Sequence, residues 1–582
     1  MKYNDSGNIN VSQFHRDYNG TDDEIFYTGT GFFGGKAKGL IEIKDILKEK
    51  ISNSEFPQID ISIPKMVVLR TDIFDAFMKI NNLYDIAFSN QKDEQITYSF
   101  INSDLPTEIL GDLRSLIEQI KLPLAIRSSS MLEDAKYESF AGIYATKMIP
   151  NNQPNQDERF RKLVEAIKFV YASTFFKVSK DYFRASSHKI EEEKMAVIIQ
   201  EVFGELHSDR FYPHFSGVAR SYNYFPLGRA EARDGIVNLA LGLGKTIVDG
   251  GLVWGYSPKF PKAVPPFAGP LDILKNSQTK FWAVNMNSVT EYNPFMETEH
   301  LSECELLDAD YDDTLDYIAS TYDASSERFM MGTGTNGPRL INFSRLLGID
   351  EFRFNDLIQK LLSICWDAHQ GPVEIEFAAT IDKKKSRMRF AFLQVRPMVA
   401  PSELMDVAEI ELRDDSVLVA SNRVLGNGII NNIKDIVYVM PAKFDKKETI
   451  KIAEEIESIN RNLLQDRLPY LLIGFGRWGS SDPWLGIPVE WGQIAGAKSI
   501  VESTLFDLNV DLSQGSHFFH NLTSFNVSYF SISYDGELQI DWAWLDKQKV
   551  ISQKNYIKHI KLERPLLIKV DGRKSCGVIK KW

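Results

Sequence analysis

Cysteine is scarce in this chain, which excludes a scaffold built on disulfides. Three cysteines occur in 582 residues, Cys304, Cys365 and Cys576, and they are far apart with no CxxC spacing. Disulfide-rich domains and cysteine-based zinc sites both need cysteines that are denser and more regularly spaced. We therefore expect free thiols and a reducing, cytoplasmic location.

Long apolar runs and an excess of positive charge are also missing. No stretch approaches 18 uninterrupted apolar residues, and the first twenty residues are polar with no apolar signal core. These features predict neither a membrane span nor a secretory signal. The formal net charge of −12 argues against nucleic acid or an anionic membrane as a partner, but it leaves room for a local basic pocket that binds a nucleotide.

The composition is that of an ordinary globular protein. Hydrophobic residues make up 43% and charged residues 25% of the chain, and the length supplies core for three or four domains. Strand-like apolar runs and helical patterns alternate irregularly, and the patterns predict helices over 108–120 and 157–184. This layout predicts a mixed α+β and α/β fold and does not favour a doubly wound sheet.

The stretch LPLAIRSSSMLEDAKYESFAGIYATK (122–147) combines a strand with an anion-binding pattern. An apolar run ends on Arg127, and three serines follow it. Backbone N–H groups, hydroxyls and a rigid guanidinium together suit a phosphate. The alternative is a structural ion pair between Arg127 and either Glu133 or Asp134.

A glycine-rich turn precedes a predicted helix in TGTGFFGGKAKGLIEIKDILKEK (28–50). Lys36 follows two glycines, where a mobile ammonium can reach phosphate oxygens. The plainer alternative is a solvated lysine at the start of a helix. A second turn, GLGKTIVDGG, does not satisfy the P-loop spacing, because the first glycine is missing ahead of Gly244, Lys245 and Thr246.

Nine short segments follow one another along the chain: FFGGKAKGL, IPKMVVLRTDIFDAF, LAIRSSSMLEDAKYESFAGIY, FVYASTFFKVSKDYFR, IIQEV, FSGVA, LALGLG, VEIEF and FLQVRPM. In this order they resemble the nucleotide-binding part of the phosphoenolpyruvate synthase and pyruvate phosphate dikinase family, from about residue 28 to 400. One such motif is a weak signal, whereas six or more in order are specific.

The resemblance implies an ATP-grasp-like region that clamps ATP between two lobes. We accordingly divide the chain into a polar lead-in (1–25), a first lobe (26–215), a second lobe with the magnesium- and phosphate-binding strands (216–402) and a C-terminal α/β domain (403–582). The segment 416–441 faintly resembles the start of the family's swivelling phosphohistidine domain. The cofactors implied are ATP and Mg²⁺.

The resemblance also assigns residues to the nucleotide. It implies phosphate contact for Lys36, Arg127 and Ser128. It further implies that three residues at the end of the strand AVIIQEVFG offer backbone groups to the adenine edge. These are Gln200, Glu201 and Val202.

A predicted hairpin, formed by VEIEFAATID and RFAFLQVRPM, carries the implied metal and transfer residues. Glu376 and Gln394 offer the hard oxygen ligands that suit Mg²⁺, and Arg396 would neutralise charge on the transferring phosphoryl group. Glu374 and Glu376 share one face of a strand, so spacing does not separate them, and the family pattern selects Glu376. The family usually has an acidic residue where Lys245 stands.

The family carries its phosphohistidine in a threonine-serine-histidine-alanine-alanine motif, and this chain shows neither a clear copy of it nor the pyruvate-binding barrel. His517, in SQGSHFFHNLTSF (513–525), is a candidate phosphoryl acceptor, because a neutral imidazole nitrogen can take up a phosphoryl group. The alternative is that His517 and His520 simply pack among phenylalanines. A metal site that adds Asp541 has no supporting spacing.

A tryptophan-rich patch, GFGRWGSSDPWLGIPVEWGQIAG (474–496), interleaves Arg477, Asp482 and Glu490 with aromatic residues. Such a patch suits a sugar, a nucleobase or a peptide, and equally an ordinary packed loop layer. It is the candidate surface for recognising an acceptor.

Two functions remain open from the sequence. The first is an ATP- and Mg²⁺-dependent phosphotransferase that transfers to an unknown acceptor, either a small molecule or a histidine domain of a partner. The second is a non-catalytic ATP-binding protein with a regulatory or interaction role.

Overall fold

The computed structural model describes residues 11–15, 24–52, 54–133, 142–186, 188–223, 226, 229–263, 273–274, 277–287, 292–398, 407–480, 482–506, 508, 522, 525–572 and 574–582. None of the helices within these ranges combines the length and the apolar character that a membrane span requires.

The strands and helices up to residue 398 follow in chain order. The strands are β1 Ser12–Gln13, β2 Ile25–Thr28, β3 Ile59–Ser62, β4 Met66–Leu69, β5 Leu124–Ser130, β6 Thr146–Ile149, β7 Met195–Glu201, β8 Glu205–His207, β9 Arg210–Tyr212, β10 Phe215–Arg220, β11 Ile236–Leu241, β12 Trp254–Tyr256, β13 Lys280–Asn285, β14 Leu301–Glu305, β15 Ala319–Asp323, β16 Arg328–Met331, β17 Arg339–Ile341, β18 Val373–Asp382 and β19 Arg387–Pro397. The helices are α1 Gly35–Lys50, α2 Thr71–Ile80, α3 Tyr84–Ala87, α4 Asp93–Ile101, α5 Thr107–Gln119, α6 Gln156–Ser173, α7 Lys177–Ala185, α8 Lys245–Val248, α9 Leu306–Tyr311, α10 Ser344–Gly348 and α11 Phe354–His369.

A first sheet runs in the order β1-β2-β4-β7-β5-β6. Its strand β4 is apolar and buried at all four positions, because both faces of the sheet are covered there. In β4, Val67 and Leu69 belong to the core formed with α2, α5 and α6, while Met66 and Val68 belong to the core formed with α1.

The helix predicted over 108–120 is confirmed as α5, whereas the single helix predicted over 157–184 is wrong in its middle. α6 ends at Ser173 and α7 begins only at Lys177. Phe175, in the break, packs its ring against Phe74 and Phe88 of the core. The aromatic burial overrides the helical pattern at this point.

A second sheet runs in the order β12-β11-β10-β18-β19-β3. Its edge strand β3 precedes β4 in the chain, yet it pairs in parallel with β19. One strand from the range 26–215 therefore completes a sheet built mainly from the range 216–402. The helix α1 packs against β5, β19 and α11, which places its start between the two sheets.

Two smaller antiparallel sheets accompany these, β14-β13-β9-β8 and β16-β15-β17. The prediction of a mixed α and β architecture is confirmed. The division into two ATP-grasp-like lobes with the stated bounds stays a prediction.

The elements after residue 407 form a separate group. The strands are β20 Val417–Ser421, β21 Val424–Leu425, β22 Gly428–Ile430, β23 Asp435–Val439, β24 Tyr470–Phe475, β25 Arg477–Trp478, β26 Gly486–Ile487, β27 Ala497–Ser503, β28 Ser528–Ile532, β29 Val550–Gln553, β30 Ile557–Lys561, β31 Leu567–Asp571 and β32 Cys576–Lys580. The helices are α12 Thr449–Gln465, α13 Trp491–Ile494 and α14 Trp542–Leu545.

A seven-stranded sheet, β21-β28-β27-β24-β23-β30-β29, is the centre of this C-terminal group. The neighbouring strands β23, β24, β27 and β28 are parallel, and α12 connects the first two as a crossover. A four-stranded sheet, β20-β32-β31-β22, and the short pair β25-β26 complete it. Kinship with a swivelling phosphohistidine domain stays a prediction.

Candidate functional site

Arg127 reaches from the first sheet to the second. It stands in β5, and its Nη2 donates to Oε1 of Gln394 at 2.8 Å, while its Nη1 donates to the carbonyl of Leu393 at 3.1 Å. The same Nη1 donates to Oε1 of Gln200, in β7, at 3.1 Å. The carboxylate of Glu376 lies 3.8 Å from Nη2. Three other predicted site residues, Gln200, Glu376 and Gln394, thus meet at the guanidinium of Arg127.

Glu376 and Gln394 fit a magnesium site by their chemistry. β18 and β19 place them directly opposite each other, next to an irregularity in the ladder between Glu376 and Phe377. A carboxylate and an amide oxygen are hard ligands, and Mg²⁺ takes one or two such protein oxygens beside water and phosphate. The amide oxygen has two lone pairs, and Arg127 uses one of them.

Lys36 is held at the start of α1 by a buried carboxylate. Its Nζ lies 2.8 Å from Oε1 of Glu133 and donates to Oγ of Ser128 at 3.2 Å. Glu133 also accepts from the hydroxyl of Ser128 at 3.0 Å and from the N–H of Ser130 at 2.9 Å. The ion pair that was considered between Arg127 and Glu133 is therefore wrong, because Glu133 pairs with Lys36.

The serines after Arg127 fix the glycine-rich turn. Gly34 has φ of 75°, and a Cβ placed on it would lie 1.7 Å from the carbonyl oxygen of Ser129. Oγ of Ser129 accepts from the N–H of Ala37 and donates to the carbonyl of Phe33, both at 3.0 Å. The turn that carries Lys36 is thus tied directly to the strand that carries Arg127.

The three residues predicted to meet adenine lie at the end of β7, but two of their N–H groups are already used. Glu201 donates its N–H to the carbonyl of Lys65 at 3.0 Å, and Val202 donates to the carbonyl of Pro123 at 2.8 Å. Gln200 places its side chain on Arg127. Adenine recognition by these N–H groups would require both backbone bonds to be released, so this role stays a prediction.

Arg396 is buried in an ion pair on the same hairpin. Its Nε donates to Oε1 of Glu374 at 2.8 Å, and its Nη2 contacts the same oxygen. The other oxygen of Glu374 accepts from Nε of Arg220 at 2.5 Å. One carboxylate therefore holds two guanidiniums, and Arg396 is only 2% exposed. Its predicted contact with the transferring phosphoryl group stays a prediction.

Glu193 is a buried acid that the sequence did not reveal. It stands just before β7 and accepts from the N–H groups of Met131, at 3.2 Å, and Lys194, at 3.1 Å. Burial, with repulsion from the nearby Glu133, raises the pKa of Glu193 to about 8. Its sequence context is a run of acidic residues that reads as solvated surface, so no sequence signal pointed to it.

Lys245 lies beside two carboxylates, Asp249 and Glu297. Nζ of Lys245 is 2.8 Å from Asp249, and Glu297 accepts from the N–H of Thr146 at 3.3 Å. Burial alone favours the neutral amine, but the charges of Asp249 and Glu297 raise the pKa of Lys245. Desolvation by the surrounding protein raises the pKa of Glu297, although the positive charges of Lys245 and Lys36 act in the opposite direction. Lys245 thus lies beside two acids.

Glu205, His207 and His214 also form a compact cluster, with possible ligand atoms within 4.8 Å of one another. Nδ1 of His214 accepts from the N–H of Ile381 at 3.0 Å, so the proton of its neutral ring is on Nε2, which faces Glu205 at 3.5 Å. Arg389 pairs with Glu205 at 3.0 Å. This tautomer and this cation make the cluster a hydrogen-bonded group rather than a metal site.

The tryptophan-rich patch is packed in part: Trp478 and Trp491 are buried but Trp484 is 60% exposed, so its role as an acceptor surface stays a prediction. The backbone N–H of Trp478 donates to the carboxylate of Glu502 at 3.2 Å, which the hydroxyl of Tyr529 also contacts, and its indole N–H donates to the carbonyl of Val501 at 3.2 Å. Arg477 is buried as well, and its Nη1 donates to the carbonyl of Gly250 at 3.2 Å.

His517, His520 and Asp134 lie outside the described residues, so the acceptor role of His517 stays a prediction. Asp541 is described, and it caps α14 through the N–H of Trp544 at 3.0 Å and pairs with Lys581 at 2.8 Å. Both contacts give Asp541 a structural role.

Comparison with known proteins identifies the class to which this site belongs. Residues 31–416 match the family described as pyruvate phosphate dikinase, AMP/ATP-binding domain, and the chain belongs to that family. The resemblance drawn from the sequence motifs is confirmed.

One curated relative adds a functional name. The uncharacterized phosphotransferase YvkC of Bacillus subtilis (strain 168) is 27% identical over 188 residues, which is 32% of this chain and 20% of the relative. The chain therefore matches only about a fifth of that protein's length.

Proposed function

We propose that this chain is an ATP- and Mg²⁺-dependent phosphotransferase that binds ATP between its first and second sheets. The observation that supports this most is the contact of Arg127 with Gln394 and Glu376. A rigid cation from one sheet and hard oxygen ligands from the other meet at one point, which is the arrangement that a metal-bound polyphosphate needs. Membership of an AMP/ATP-binding family agrees with it.

Lys36 and Arg127 are the groups that would bind the phosphates. Both are held in position by the protein before any nucleotide arrives, although phosphate oxygens would have to displace their present partners. A bound Mg²⁺, held by Glu376 and Gln394, would neutralise charge on the phosphate oxygens. Arg396 lies two residues beyond Gln394 and would act on the transferring group.

The dikinase family suggests the type of transfer. The β-phosphoryl group would pass to a histidine, leaving AMP and inorganic phosphate, and the acceptor would be His517, a partner histidine domain or a small molecule. The name of the relative, a phosphotransferase, supports transfer as the class of reaction.

Titration calorimetry with MgATP tests the binding step. Arg127→Met should weaken MgATP binding about 10- to 100-fold, because hydrogen bonds to charged groups are worth about 1.5–3 kcal/mol. Arg114→Met is a matched control, since Arg114 is half exposed and pairs with Asp157 on the surface. Absence of heat with MgATP in the wild type would reject the proposal.

Product analysis then separates the reactions. AMP with inorganic phosphate supports the dikinase route, and ADP supports simple kinase chemistry. The non-catalytic alternative has one observation in its favour, namely that Lys245 stands where the family has an acid. MgATP binding without turnover, with every acceptor supplied, would support that alternative.

A further inference from the structure

The C-terminal group contacts α7 through aromatic side chains, beside a polar cavity of about 910 Å³ lined from both sides. The ring of Tyr182, in α7, lies 4.8 Å from that of Phe525, and Trp491 stacks on Phe525 at 5.5 Å. Tyr182 is fully buried. A Cβ placed on Gly492 would lie 2.9 Å from the Cβ of Asp181, so backbone and side chain are in close contact. One continuous apolar core includes residues from both sides of this contact.

A polar seam borders that apolar contact. Lys177, at the start of α7, pairs with Glu457 of α12. Glu457 also accepts from Nε2 of Gln493 at 3.1 Å and pairs with Arg461 at 3.0 Å. The Lys177–Glu457 ion pair has to separate if the two parts come apart, whereas the contacts of Glu457 with Arg461 and Gln493 stay within the C-terminal group.

A second contact joins the C-terminal group to the turn that precedes β12 of the second sheet. The guanidinium of Arg477, only 6% exposed, donates to the carbonyl of Gly250. Gly250 has φ of 75° and ends the turn that follows α8, the helix that carries Lys245. Lys245 is electrostatically linked to Glu297, which bonds to Thr146, the strand partner of Arg127.

We propose that the C-terminal domain is a fixed third wall of the nucleotide cleft, with Arg477 as the positioning residue that holds the 244–251 turn, and that it does not swivel as a phosphate carrier. This inference rests on the proposed function for what the cleft binds. A domain that travels between remote sites needs a small, wet interface that separates easily. Here separation would expose Tyr182, which is fully buried, uncover the ring of Phe525 that it packs against, and break the Lys177–Glu457 pair and the bond from Arg477 to Gly250. The acceptor therefore approaches a cleft whose third wall is already in place.

Cross-linking tests whether the domain stays docked. Lys177→Cys combined with Glu457→Cys places two thiols across the interface, and a bifunctional maleimide matched to the length of the replaced side chains can join them. The native cysteines Cys304, Cys365 and Cys576 are buried, and the two single variants are the controls.

We expect the double variant to cross-link almost completely with or without saturating MgATP, and the linked protein to bind MgATP as the unlinked one does. A yield that falls when MgATP is added, a low yield in its absence, or lost MgATP binding after linking would overturn the inference. If the unlinked protein gives no heat with MgATP, the proposed function fails, and the yield without nucleotide still decides the docking.

Substitution of Arg477 tests the positioning role. Arg477→Met should weaken MgATP binding about 3- to 10-fold, the size of one net hydrogen bond, and Arg477→Lys should restore most of it. Arg413→Met is the control, because Arg413 lies on the surface of the same domain and pairs with Glu537. Wild-type affinity in an Arg477→Met protein with a native circular dichroism spectrum would refute the role.

Discussion

Replacement of Glu193 by glutamine should stabilise the protein at high pH and change it little at low pH. Burial raises the pKa of Glu193 to about 8, from an ordinary value of 4.5. In the unfolded chain the carboxyl ionises near its ordinary pKa, so folding takes up a proton between about pH 4.5 and 8. Stability from the neutral carboxyl is fully present below about pH 4.5 and is lost as the pH rises to about 8.

The size of the effect follows from the shift. A difference of roughly 3.5 pKa units corresponds to about 5 kcal/mol at most, at 1.36 kcal/mol per unit. Water entry and side-chain relaxation around the ionised group reduce this, so we expect about 2–4 kcal/mol between pH 5 and 8. Glutamine keeps an oxygen for the N–H groups of Met131 and Lys194 and has no proton to lose.

The assay is the melting temperature of both proteins measured across pH 5 to 8.5. The difference between variant and wild type should grow with pH and reach several degrees, since about 1 kcal/mol shifts the midpoint of a domain by about 2–4 °C. Glu192→Gln is the control, because Glu192 is the exposed neighbour. A difference that does not change with pH would refute the reasoning.

Further predictions concern the turn and the metal site. Gly34→Ala should destabilise the protein by more than about 2 kcal/mol, because the added Cβ meets the carbonyl of Ser129 at a positive φ. Thermal melting measures this loss. The control Gly334→Ala should be near neutral, because Gly334 has open space around it. Glu376→Gln should raise the Mg²⁺ concentration needed for ATP binding about 10-fold, because it removes a charged ligand. The surface change Glu303→Gln should leave that concentration unchanged. An unchanged Mg²⁺ dependence of Glu376→Gln in calorimetry would argue against a metal at this position.

Local sequence patterns predicted the elements of the site better than their contacts. The apolar run ending on Arg127 and the glycine turn before Lys36 fold as a strand and a helix start. Glu374 and Glu376 alternate on one face, so no local rule could separate them. The strand register does so, because it sets Glu374 opposite Arg396 and Glu376 opposite Gln394.

Contacts between distant segments were beyond local reasoning. Glu133 was considered as a partner for Arg127, six residues away, but it pairs with Lys36, which precedes it by almost a hundred residues. Sequence proximity favours the first pairing, whereas the turn held by Ser129 imposes the second. Glu193 was missed for the same reason, since only the folded core makes it a buried acid.

The cations of this cleft are already paired in the protein, and this shapes how a nucleotide must bind. A buried charge without a partner is costly, so Lys36 rests on Glu133 and Arg396 rests on Glu374. In the proposed site, phosphate oxygens would therefore exchange partners with these carboxylates instead of binding unpaired cations. The net affinity is a difference between two sets of strong contacts, and the charge left on each displaced carboxylate has to be neutralised. A Mg²⁺ held by Glu376 and Gln394, as proposed, would neutralise part of the phosphate charge and so weaken its repulsion from these carboxylates, and MgATP should therefore bind more tightly than ATP alone.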